Sequence, residues 1–130
     1  MTVGIVLITH DDVGAVLLQA AVSTLGMCPL KVEVLSVKRS DTPEAMIAKA
    51  HELVDSVSEG DGVLIMTDIY GSTPSNVAAA MLGPADVVSV AGLNLPMLIK
   101  VFNYPHSTLE VLFNKALAGG REGIMAFEVV

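Results

Sequence analysis

Two kinds of apolar pattern alternate along the chain, and their alternation predicts the fold. Val3 to Thr9 is a continuous run dominated by Val, Ile and Leu, the composition of a strand buried on both faces of a parallel sheet. It stops at His10. After Asp11-Asp12, the apolar positions Val13, Val16, Leu17, Ala20, Ala21 and Leu25 recur at helical spacing, and Gly26 closes the run. Asp11 or Asp12 is expected to cap that helix. Lys31 to Val37 alternates polar and apolar residues, as a half-exposed edge strand does. Lys38 to Asp41 reads as polar connection. Asp41 or Thr42 then caps a helix with Pro43 at its first position and an apolar stripe of Met46, Ile47, Ala50, Leu53, Val54 and Val57.

Gly60-Asp61-Gly62 marks a turn, and Val63 to Asp68 is a second apolar run that ends on an acidic residue. Ile69 to Ser72 is a loop. Thr73-Pro74 opens a helix of small residues reaching Leu82, closed by Gly83-Pro84. Val87 to Gly92 is a further strand, and Leu95 to Phe102 is a short helix opened near Pro96. Ser107 or Thr108 caps a helix through Leu109, Leu112, Phe113, Ala116 and Leu117, which Gly119-Gly120 is expected to break. Ile124 to Val130 reads as a last strand.

Strand and helix alternate throughout, so residues 1–130 are expected to form a single α/β domain, an open and mostly parallel sheet with helices on both faces. The half-exposed second strand belongs at an edge and the two all-apolar strands in the centre, which gives the order 2-1-3-4. The chain then reverses direction of winding between the first and third strands. Ligands of open α/β sheets bind outside the carboxyl ends of the strands at such a point. His10 and Asp68 end those two strands and are expected to face each other across the crevice.

Composition narrows the function classes. Hydrophobic residues make up 52% and charged residues 16%, so the chain has much interior, or hides apolar surface in an oligomer. Seven Lys and Arg against 14 Asp and Glu give a net charge of −7, which disfavours nucleic-acid partners. The single Cys28 has no intrachain disulfide partner, and the three histidines lack metal-ligand spacing. No run of about 18 apolar residues and no signal-peptide pattern is present, so a cytoplasmic protein without membrane insertion is expected. No Gly-x-Gly-x-x-Gly or Walker pattern supports a dinucleotide or ATP site, and no cofactor is expected.

What remains is the crevice. A neutral imidazole is a nucleophile only through its unprotonated nitrogen. A carboxylate bonded to the other nitrogen fixes the tautomer and stabilises positive charge developing on the ring, and Asp68 is placed to do this for His10. Gly71 permits close backbone approach, Ser72 and Thr73 offer hydroxyls, and a helix starting at Thr73 presents free N–H groups to an anion such as phosphate. Nucleophile, orienting acid and anion cradle together point to phosphoryl transfer through a histidine. His51 falls off the apolar stripe of its helix, and His106 lies in a loop. Tyr70, in the loop after Asp68, is either a recognition surface or a cover for the crevice. An aspartyl receiver and a flavodoxin-type binding domain rank below, since Lys100 lies inside a helix rather than after a late strand.

These residues resemble a known family. Thr9-His10 at the end of the first strand, Asp68-Ile69-Tyr70-Gly71-Ser72-Thr73-Pro74-Ser75-Asn76, Gly92-Leu93-Asn94-Leu95-Pro96-Met97-Leu98 and Gly120-Arg121-Glu122-Gly123 are similar to the enzyme IIA component of the mannose-type phosphotransferase system. The resemblance implies that His10 is phosphorylated by the phosphocarrier protein HPr, that Asp68 orients it, and that Gly71, Ser72 and Thr73 hold the phosphate. It implies onward transfer to a IIB-type acceptor, in carbohydrate uptake or its regulation. It also implies a homodimer in which Ile124 to Val130 is an antiparallel strand exchanged between subunits, with Gly119-Gly120 as the hinge. Many members carry glycine after the histidine, where this chain has Asp11. Two alternatives from the same resemblance are a regulatory module whose phosphorylation state changes what it binds, and the phosphotransferase subunit of a dihydroxyacetone kinase system.

Overall fold

A computed structural model of the chain describes residues 2–83 and 86–128. In chain order the elements are β1 (Gly4–His10), α1 (Val13–Leu25), β2 (Val32–Val37), α2 (Pro43–Val57), β3 (Val63–Thr67), α3 (Thr73–Ala79), β4 (Val87–Ala91), α4 (Leu95–Phe102) and α5 (Leu109–Glu122). The four strands form one sheet in the order β2-β1-β3-β4, and every pairing is parallel. Burial follows the order: β1 and β3 are buried nearly end to end, whereas β2 and β4 are half-buried edges.

The period of two along β1 divides the core into two layers. Val3, Ile5 and Leu7 pack with Leu64, Met66, Val90 and the inner faces of α1, α4 and α5. Val6 and Ile8 pack on the other side with Val37, Val63, Ile65 and the helices α2 and α3. Gly4 is required where β1 starts, since a Cβ there would stand 2.3 Å from the Val57 carbonyl oxygen.

Several expected boundaries move, each for a physical reason. Neither Asp11 nor Asp12 caps α1 with its side chain: Asp12 occupies the cap position without such a bond. The buried Thr9 hydroxyl, pointing from β1 toward α1, instead accepts the Gly14 N–H at 2.8 Å. Thr42 caps α2 by accepting from the Ala45 N–H. α3 stops at Ala79 rather than Leu82, because the Met81 and Leu82 N–H groups donate three residues back and tighten the chain into a turn. The expected closure at Gly83-Pro84 falls partly outside the described residues.

Gly119 and Gly120 do not break α5, which runs through both to Glu122. A Cβ at Gly119 would sit 2.5 Å from the Lys100 Cβ, and one at Gly120 would sit 2.8 Å from the Met97 Cε. The pair serves close packing of α5 on α4 rather than a hinge. Beyond α5, residues 124–128 form no strand with this sheet, and the end of the expected strand, Val129 and Val130, lies outside the described residues. Among the described residues no helix is long and apolar enough to cross a membrane.

Candidate active site

His10 is the last residue of β1 and pairs in register with Val37, the last residue of β2. It shares the parity of Val6 and Ile8, so its side chain leaves the sheet on the face covered by α2 and α3. Asp68 follows β3 directly, on the other side of β1. The two side chains meet: His10 Nδ1 lies 2.9 Å from Asp68 Oδ2, and the same oxygen accepts the His10 backbone N–H at 3.0 Å. The other carboxylate oxygen, Oδ1, accepts the Ile69 N–H at 3.2 Å.

An ionised carboxylate only accepts, so the proton of a neutral His10 ring resides on Nδ1 and the lone pair on Nε2. The His10 side chain is 43% exposed and that of Asp68 only 12%. The carboxylate is thus largely held inside while the ring is close to half-exposed. That is the arrangement a nucleophile needs: a fixed tautomer, a fixed ring plane and an open approach.

A cavity of about 450 Å³ opens in front of the ring, with His10, Asp11, Val37, Lys38, Arg39, Asp41, Thr73 and Pro74 among its walls. Thr73 therefore shares the crevice with His10. Gly71 adopts φ 84°, a left-handed conformation that turns the loop toward α3. The Ser72 hydroxyl donates to the Ile69 carbonyl at 2.6 Å, so its proton is engaged inside the loop. Asp11 has φ 43°, the one non-glycine left-handed residue among those described, a backbone conformation that favours glycine.

Lys38 and Arg39 are the residues that sequence reasoning passed over as polar connection. The signal was present: with β2 beside β1, whatever follows Val37 must emerge beside His10. The remaining candidates stand apart from the crevice. His51 and His106 are exposed, the second in the loop between α4 and α5, and Cys28 is exposed and free. Tyr70 is 87% exposed, so it does not cover the crevice. Among the described residues no cluster of three metal-ligating side chains occurs.

Comparison with known proteins finds related chains. The family model described as PTS system fructose IIA component matches residues 4–117. The mannose-specific EIIAB component of the phosphotransferase system from Escherichia coli strain K12 is 28% identical over 131 residues, covering 98% of this chain. This chain spans only 40% of that relative. The fructose-specific EIIA component from Bacillus subtilis strain 168 is 35% identical over 72 residues, 54% of this chain and 49% of that protein. Among solved structures, the mannose/sorbose-specific IIA subunit from Enterococcus faecalis superposes with a TM-score of 0.89 at 22% identity. That match covers 100% of this chain and 98% of the other, and it establishes the shared fold.

Proposed function

The chain belongs to the mannose-type enzyme IIA family of the phosphotransferase system, and from that premise we propose that it is a phosphohistidine relay protein. His10 accepts a phosphoryl group from the phosphocarrier protein HPr and passes it to a IIB-type acceptor, in carbohydrate uptake or its regulation. One observation carries the reading: a half-exposed imidazole whose Nδ1 is held 2.9 Å from the oxygen of a largely buried carboxylate, with no hydrogen bond to Nε2 among the described residues.

The Nε2 lone pair attacks phosphorus as the donor's P–N bond breaks, and the electron pair of that bond leaves with the donor ring. The Nδ1 proton stays in place, so positive charge passes to the His10 ring, where Asp68 faces it. Thr73, at the cavity wall, holds the phosphoryl oxygens in this reading, with Gly71 and Ser72 in the turn that leads into it though not among the lining residues of that cavity. Onward transfer runs the same steps backward. No metal or cofactor takes part in this scheme.

The protein works as a homodimer in the same reading. Ile124, Met125 and Phe127 are 79%, 77% and 98% exposed, too much apolar surface for a free tail, and a second copy exchanging this segment would bury it.

Incubation with phosphoenolpyruvate, enzyme I and HPr is expected to place one acid-labile, base-stable phosphate on the chain, and His10→Ala is expected to accept none. Label retained by that variant would overturn the assignment.

A further inference from the structure

We propose that Lys38 and Arg39 bind the phosphoryl group as it reaches His10, forming the cationic wall of the site; the proposal rests on the relay reading above. A phosphoryl group brings negative charge into a space that already holds three carboxylates, Asp68 bonded to the ring and Asp11 and Asp41 on the cavity wall. The α3 side supplies little to offset it. That helix has only seven residues, and the Ser72 hydroxyl proton is taken by the Ile69 carbonyl. A full positive charge is needed, and the opposite wall carries two.

The placement is built into the sheet. Val37 is the register partner of His10, so Lys38 and Arg39 emerge from the neighbouring strand at the same level. Their backbone is pinned. Asp41 Oδ2 accepts the Lys38 N–H at 2.8 Å, the Asp41 N–H donates to the Lys38 carbonyl at 3.0 Å, and the Asp11 N–H donates to the Val37 carbonyl at 2.9 Å. Asp41 is thereby occupied with backbone. Among the described residues neither cation takes part in an ion pair. In a chain with seven basic residues and a net charge of −7, two adjacent unpaired cations at the mouth of the reactive crevice have no folding task. An anion has one for them: the guanidinium fork matches two phosphoryl oxygens, and the ammonium adds a point charge.

The step is unchanged in its atoms. The donor's P–N bond breaks and the Nε2–P bond forms, while the three phosphoryl oxygens stay on phosphorus facing Lys38, Arg39 and Thr73. A cavity of about 450 Å³ is within the size of small-ligand sites and admits the group together with the edge of a donor ring.

The test uses two donors on the full chain: phosphorylated HPr, and the small reagent phosphoramidate, which needs no protein contact. The double variant Lys38→Ala/Arg39→Ala is expected to lose about 10- to 100-fold in the initial rate of His10 labelling with both donors, in the range for removing charge stabilisation from a partly exposed site. Arg39→Lys is expected to fall between the two. Both side chains are exposed and their turn is held by backbone groups, so the thermal midpoint should stay at the wild-type value. Labelling of the double variant by phosphoramidate at the wild-type rate would overturn the proposal. It would do so even if the HPr rate fell, since the cations would then only dock the partner. A wild-type chain that neither donor labels would overturn the relay reading itself, and this proposal with it.

Discussion

Asp68 Oδ2 accepts two hydrogen bonds from one residue, and so fixes both the backbone and the ring of His10. Asp68→Asn keeps the shape but removes the charge that faces the phosphorylated ring. Phosphorylation is expected to slow by orders of magnitude, up to the roughly 10⁴-fold loss that follows when a carboxylate behind a reactive histidine becomes an amide. Circular dichroism should be unchanged, because the pair lies at the rim of the core. A wild-type rate would reduce Asp68 to an anchor for the Ile69 turn. The pair could be read from the sequence because two apolar runs end on a histidine and an aspartate, and strand ends are easy to locate. The cap of α1 could not be read in this way. Asp11 and Asp12 stand where caps stand, but Thr9, on the alternate face of β1, comes close enough only once the strand is folded against the helix.

At the scale of elements, the fold resolved where pattern decides and departed where packing decides. Strand order followed from burial, because a strand alternating polar and apolar must sit at an edge. Gly119-Gly120 reads as a breaker on propensity alone. Contact with α4 reverses that reading, since only a residue without a Cβ lets the two helices approach this closely. Gly119→Ala sets the two effects against each other. Alanine favours the helix by about 1 kcal/mol, while its Cβ, placed 2.5 Å from the Lys100 Cβ, overfills the interface at a cost of roughly 1–3 kcal/mol. Urea unfolding is expected to show net destabilisation. A more stable variant would mean that α4 and α5 separate freely. Lys38 and Arg39 illustrate a related gap: a connection has no periodicity of its own, and its neighbours become known only when the strand order is.

For the whole molecule, the all-parallel sheet gathers His10, Asp68, the Lys38–Asp41 turn and the start of α3 at one edge, and leaves the segment after α5 outside the core. Truncation after Gly123 is expected to convert a dimer to a monomer in light scattering at micromolar concentration. Equal masses for the two forms would remove the exchanged segment from the account. The central claim, that phosphorus is carried by Nε2 of His10 while Asp68 holds Nδ1, is tested most directly by ¹⁵N NMR of the histidine rings before and after phosphorylation. The expected spectra show a His10 ring protonated at Nδ1 in the free protein and phosphorus coupled to Nε2 afterwards. Phosphorus coupled to Nδ1, or to a different histidine, would contradict it.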